Sequence, residues 1–318
     1  MSTAARSTPE VFVRLMKEAD LPEARLVFRL AFGTLLGVPN PESFWADREY
    51  IFTRWRANPE AALVSEVDGR LAGSNFLTNW GSFGFFGPLT VRPELWDRRI
   101  GQALLIRTME LFENWRIRDT GLFTFAHSPK HVGLYQKFGF WPRFLTAIMG
   151  SPVAARQASF AKYSSLNESG RMETLHECRA ITDSLHEGLD TSIEIRSVEK
   201  QRLGDTVLVW GDRLEAFAIC HCGEGTEAGT GTCYVKFAAV RPGPNADRTF
   251  ERMLEACETL AAERGLTRIE AGVNLGRSVA YREMLRRGYR TQVQGVAMHR
   301  PDSPAYNQPE IHVLDDWR

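Results

Sequence analysis

A chain of 318 residues is about twice the length of a common domain and holds enough apolar material for two cores. Lysine plus arginine balance aspartate plus glutamate at 39 each, so the overall charge calls for neither nucleic acid nor an anionic membrane surface, and a small-molecule or protein substrate is expected. The opening MSTAARSTPE lacks the pattern of a secretory signal, no run nears the ~18 apolar residues of a spanning helix, and five cysteines form an odd set; these features predict a cytoplasmic chain with reduced thiols.

Taken in order, VFVRLMKEADLPEARLVFRLAFG predicts a strand and then a helix with Asp20 as its N-cap. AALVSEVDGRLAGSNFLTNWGSFGFFGPLTV breaks at Asp68-Gly69 and around residues 81–84, giving three antiparallel strands. A helix follows with Ile100, Leu104, Leu111 and Trp115 on one face, then a short strand, then a helix closed by Gly139. The polar stretch 155–171 reads as a junction, and GRMETLHECRAITDSLHEGLD beyond it is helical with no strand evident ahead of it. DTVLVWGDRLEAFAICHCGEGTEAGTGTCYVKFAAV breaks at Gly211-Asp212 and in the glycine-rich loop 223–231. Its following helix turns Phe250, Met253, Leu254, Cys257 and Ala261 to one side, and a further helix is closed by Gly288. The tail NQPEIHVLDDWR reads as an ordered extension with Trp317 as its anchor.

Two anchors recur at one interval. VRP stands at Val91 and again at Val240, FGF ending at Phe140 answers RGY ending at Tyr289, and both intervals are 149 residues. A β-α-α-βββ-α-β-α-β order is mixed α/β, a central sheet with helices on its faces. The expected organisation is two tandem domains, residues 1–155 and 156–318.

In VRPELWDRRIGQALL, Pro93 ends a strand and the chain turns into a helix whose first-turn N–H groups point one way. Such a terminus binds anions; Gly101 permits close approach, Arg98 or Arg99 adds charge, and the inferred ligand is a pyrophosphate. A Walker loop is excluded because Gly-Lys-Ser/Thr is absent, and a dinucleotide fingerprint because its glycine spacing is absent.

VRPELWDRRIGQALL and HSPKHVGLYQKFGF resemble the GNAT superfamily of acyl-CoA-dependent N-acetyltransferases, with the likeness in element order spanning roughly residues 10 to 150. The family's turn formula, Q/R-x-x-G-x-G/A, is met by Arg98, Arg99, Ile100, Gly101, Gln102 and Ala103. A gapless count from Val91 instead puts Trp96 at the Arg/Gln position, Arg99 at the first glycine and Gly101 at the second. Both counts place residues 98–103 around the phosphate.

The resemblance implies an acetyl group passed from acetyl-CoA to a primary amine by direct attack. It makes Tyr135 the general acid that protonates the departing thiolate, and has Leu89, Thr90 and Val91 offer strand backbone to the acetyl and pantetheine groups. Ser128 or His127, at a strand end, could contact cofactor or acceptor. An alkyl ammonium of pKa ~10.4 must first lose a proton. Glu42, Asp47, Glu49 and Glu66 are the nearby acids, each read as a solvated surface group, and a water relay or the substrate itself is the alternative base. The acceptor is a small-molecule or peptide amine.

At the matching turn the second half has Asp247 for Arg98 and Phe250 for Gly101, so a carboxylate and a ring stand where phosphate would sit. A degenerate GNAT-like domain without coenzyme is predicted there, shaping the acceptor pocket or mediating a homodimer. No metal site is expected: on a strand Cys220 and Cys222 share a face while His221 points away, and His127 and His131 lack a third ligand. Phe83, Phe85 and Phe86 read as core. The alternative to an enzyme is a weak or inactive acyl-CoA-binding scaffold.

Overall fold

The computed structural model describes residues 10–154 and 157–318; most of the opening segment and the expected 155/156 boundary lie outside the described residues. In chain order the elements are β1 (Phe12–Leu15), α1 (Leu21–Leu35), α2 (Ile51–Ala57), β2 (Ala62–Val67), β3 (Arg70–Trp80), β4 (Phe83–Phe86), β5 (Thr90–Val91), α3 (Ile100–Asn114), β6 (Asp119–Thr124), α4 (Pro129–Gln136) and β7 (Trp141–Pro152). There follow β8 (Ala161–Lys162), α5 (Glu168–Leu185), α6 (Ser192–Gln201), β9 (Gly204–Trp210), β10 (Leu214–Cys222), β11 (Thr232–Val240), α7 (Ala246–Glu263), β12 (Arg268–Asn274), α8 (Ser278–Arg286), β13 (Arg290–Arg300) and β14 (Val313–Leu314). The order α-α-β-β-β-α-β-α-β occurs from α1 to β7 and again from α5 to β13, with β4 and β5 together answering β11.

The chain forms two compact units. The first comprises residues up to 46, 50–78 and 86–115. Here β1, β2 and β3 run antiparallel, and the β2–β3 hairpin turns at Asp68 and Gly69, both at positive φ as a two-residue hairpin of primed type requires. Strand β5 lies on β3 with Gly73 opposite Val91, and a Cβ at Gly73 would fall 2.4 Å from the Thr90 carbonyl oxygen. The core joins Leu21, Val27 and Phe28 of α1 to Val64 and Phe76. Helix α3 buries Ile100, Leu104, Leu105, Thr108, Met109 and Phe112, a broader stripe than the expected one, with Leu111 and Trp115 only half-buried.

Asp20 is not a cap. Its backbone is already helical and its side chain caps nothing on α1; the carboxylate accepts from the Lys17 amide at 2.7 Å and pairs with Arg14 at 2.6 Å. The guanidinium is the stronger partner and holds this carboxyl below its usual pKa.

The second unit comprises residues 47–49, 79–85 and 116–318. Its sheet runs β4-β6-β13-β7-β12-β11-β10-β9-β8, with β14 attached to β11. Strands β11 and β12 are parallel and the β12–β7–β13–β6 contacts antiparallel, so the sheet is mixed. Strand β7, which follows α4 in sequence, pairs with β12, while β13, which follows α8, pairs with β6. The last strand of each half thus lies against the other half's strand, and β7 and β13 pair with one another between them. The polar stretch expected to be a plain junction contributes β8, where Ala161 stands opposite Leu208. One core packs α7 and α8 on one face of the sheet, and a second packs Leu175, Cys178 and Ile195 of α5 and α6 on the other.

Candidate functional site

The handover from β5 to α3 is fixed by Arg92. Its amide donates to Ala72 at 2.8 Å, its Nε to the Leu71 carbonyl at 2.7 Å, and its guanidinium pairs with Glu23. The arginine of the VRP motif therefore serves the fold. A short 3-10 turn over Pro93–Leu95 follows, and the Trp96 indole donates back to the Val91 carbonyl at 2.8 Å.

Asp97 and Arg99 both take the left-handed backbone, at φ 65° and 62°. This conformation favours glycine, which fits the count that gives Arg99 the first glycine position. Arg99 enters α3 without a side-chain cap, and Arg98 and Arg99 are exposed. The first helical hydrogen bond runs from the Ala103 amide to the Arg99 carbonyl at 3.1 Å. The amides of Ile100, Gly101 and Gln102 precede it and have no intrahelical acceptor. Ile100 is buried beneath them; Gly101, Gln102 and Ala103 are half-buried.

Thr90 is buried, and its hydroxyl shares a hydrogen bond with that of Ser74 at 2.9 Å. Leu89 and Val91 are half-buried, and among the described residues β5 pairs with β3 alone. All the residues from Leu89 to Ala103 singled out in the sequence lie in the first unit; Ser128 and Tyr135 lie in the second.

Ser128 has an extended backbone just ahead of α4 and makes no side-chain cap. Tyr135 is buried near the end of α4; its carbonyl accepts from the amides of Phe138 at 2.9 Å and Phe140 at 3.2 Å, and Gly139 closes the turn at φ 81°. Burial pushes the phenol up to about 12, which keeps it protonated at neutral pH. One helical turn earlier stands His131, which the sequence singles out only as half of a ligand pair with His127. Burial, with Lys130 and His127 adding, lowers its pKa, and its buried Nδ1 has no hydrogen-bond partner among the described residues. The four-residue spacing from His131 to Tyr135 was its available signal.

Among the acids, Glu42 is exposed. Glu66 accepts from Arg14 Nε at 2.9 Å, and Asp47 accepts from the Thr230 amide at 2.7 Å in the glycine-rich loop, a bond that lowers its pKa. The latter two carboxylates are tied to structure. Phe83, Phe85 and Phe86 are buried. Cys222 faces Cys233 across the β10–β11 hairpin with sulfurs 3.9 Å apart, and Cys220 faces Cys257 at the same distance. Among the described residues no group of three or more His, Cys, Asp or Glu could hold a metal ion, and no helix is long and apolar enough to cross a membrane.

Residues 27–140 match the Acetyltransferase (GNAT) family. A Pyrococcus horikoshii structure assigned as an acetyltransferase superposes with a TM-score of 0.69 at 13% identity, covering 96% of this chain and 95% of that one. A GCN5-related N-acetyltransferase from Sphaerobacter thermophilus gives 0.57 at 16% identity, covering 91% and 95%, and one from Anabaena variabilis 0.52 at 12%, covering 92% and 72%. These structural likenesses speak to fold. No curated protein sequence matches the chain. Residues 27–140 thus carry a GNAT-family acetyltransferase domain within a mixed α/β fold, and the chain is an acyltransferase.

Proposed function

We propose that the chain transfers an acetyl group from acetyl-CoA to a primary amine of a small-molecule or peptide acceptor by direct attack. The observation that carries this reading is the entry to α3: a left-handed Arg99, no side-chain cap, and three consecutive amides without intrahelical partners beside two exposed arginines. That arrangement fits a diphosphate, which the amides of Ile100, Gly101 and Gln102 would hold together with the helix dipole. Arg98 and Arg99 add charge, and Ala103 closes the first turn beneath.

When bound, acetyl-CoA supplies the thioester whose acyl carbon the amine attacks. The backbone of Leu89, Thr90 and Val91 orients the acyl and pantetheine portions, and Ser128 contacts the coenzyme from the start of α4. Tyr135 donates its phenolic proton to the departing sulfur; its burial supports this role, because the hydroxyl stays protonated across the working pH range. The second half, residues 156–318, works without coenzyme.

Thiol release from acetyl-CoA, measured with a panel of polyamines, amino acids, aminoglycosides and peptide N-termini, tests the reading. Acceptor-dependent release that requires Gly101 and Tyr135 is expected. Release that ignores both substitutions would leave the assignment without support.

A further inference from the structure

The interval of 149 residues carries Leu89, Thr90 and Val91 onto Ala238, Ala239 and Val240. It carries Arg98, Gly101 and Ser128 onto Asp247, Phe250 and Arg277. Every one of these six second-half positions touches the C-terminal segment. Ala238 stands opposite Leu314 and Ala239 opposite Val313 in the β11–β14 ladder, and the Val240 amide donates to the His312 carbonyl at 3.1 Å. At the start of α7, His312 Nε2 lies 2.9 Å from Asp247 Oδ1, and its ring sits 5.1 Å from that of Phe250. Arg277 donates to Asn307 Oδ1 at 2.8 Å, the Val313 carbonyl at 3.0 Å and Asp315 Oδ1 at 2.7 Å.

The fold explains why a strand can enter there. Strands β11 and β12 pair from Thr232 opposite Arg268 to Val235 opposite Ala271 and no further. At that point Lys236 is the extra residue of a bulge against β10, whose register shifts between Ile219 and Cys220. A bulge bends its strand, so β11 leaves β12 and bares an edge. Strand β14 takes the β11 edge, while Asp316 sits on β12, where a Cβ added to Gly272 would fall 2.2 Å from the Asp316 Cβ. Val313 and Leu314 are fully buried in the gap.

We infer that the second half retains a coenzyme-type groove and fills it with an extended peptide, the chain's own residues 305–318, as its permanent occupant. The strand edge that would meet pantetheine is consumed by main-chain pairing with β14, the recognition mode of strand addition. The helix start that would meet phosphate is covered by His312. The groove equivalence rests on the proposed coenzyme role of Leu89, Thr90, Val91, Arg98, Gly101 and Ser128.

Hydrogen exchange of the full-length protein, followed by mass spectrometry with and without saturating CoA, tests this. Peptides covering 236–241 and 311–316 are expected to exchange at least ~100-fold more slowly than unstructured chain and to be unchanged by CoA, while 98–105 slows on CoA addition. A tail that exchanges freely, or that CoA accelerates, overturns the inference while leaving the first-half reading intact. A slow tail with 98–105 unmoved overturns the coenzyme reading, and the groove equivalence with it.

Discussion

Arg277 and Asp315 form an ion pair 2.7 Å long in which neither side chain is more than 2% exposed. The same guanidinium lies 5.1 Å from the Tyr306 ring, whose hydroxyl donates to Asp315 at 2.9 Å. Trp317 in turn donates to the Tyr306 hydroxyl at 2.7 Å and packs against Phe83. The tail is thus held by a connected polar network, and Trp317 is buried in it, in keeping with an ordered extension anchored at that residue.

Removing one partner of such a pair strands the other charge in the core. Arg277→Met should cost about 3–5 kcal/mol of unfolding free energy in urea titrations. Arg277→Met combined with Asp315→Leu should cost less than the sum of the two single changes. Strict additivity would show that the pair is not coupled.

His299 is buried beside Trp317, and burial lowers its pKa from 6.5 to about 4, with Arg143 and Arg277 adding. Between those values the unfolded chain binds a proton that the folded chain refuses, so stability is fully present above pH 6.5 and falls as pH drops toward 4. The loss should reach about 3 kcal/mol near pH 4. His299→Gln should flatten this part of the stability profile relative to the parent; parallel profiles would assign the acid sensitivity elsewhere.

Tyr135→Phe should lower kcat at least tenfold while leaving acetyl-CoA affinity nearly unchanged. Because burial pushes this phenol up to about 12, the parent should show no falling alkaline limb below about pH 11. Full turnover in the variant would remove Tyr135 from the chemistry.

At the turn, backbone amides should matter more than the side chain at Arg99. Arg99→Gly, which suits the left-handed backbone at φ 62°, should change CoA affinity by less than about fivefold. Gly101→Val should weaken it more than about tenfold by placing a branched side chain where phosphate approaches. The opposite ranking would make the arginine, and not the helix start, the principal contact.

Much of the local architecture was legible. Asp68-Gly69 and the loop 223–231 turn where their residues demand, and Gly139 and Gly288 close helices at positive φ. The apolar stripe of α7 is buried as its spacing predicts, because each residue in it meets one sheet face. The exchange of β7 and β13 was not legible, since both follow a glycine-closed helix and share one pattern, exposed first and buried after, so nothing local selects a partner. The left-handed Arg99 escaped because arginine does not advertise that conformation. The seat of β14 escaped because two apolar residues in a polar tail carry no periodicity. Of the candidate site, the turn into α3 and Tyr135 are visible in the sequence as motif positions, whereas the buried His131 Nδ1, without a hydrogen-bond partner among the described residues, shows only in the fold.

Calorimetric titration of the full-length protein with CoA, run beside pantetheine and the Gly101→Val variant, tests the central claim most directly. One CoA per chain is predicted, with affinity falling sharply when the diphosphate is omitted or Gly101 is replaced. No heat with CoA, or equal affinity for CoA and pantetheine, would contradict the assignment of the α3 entry as the diphosphate site.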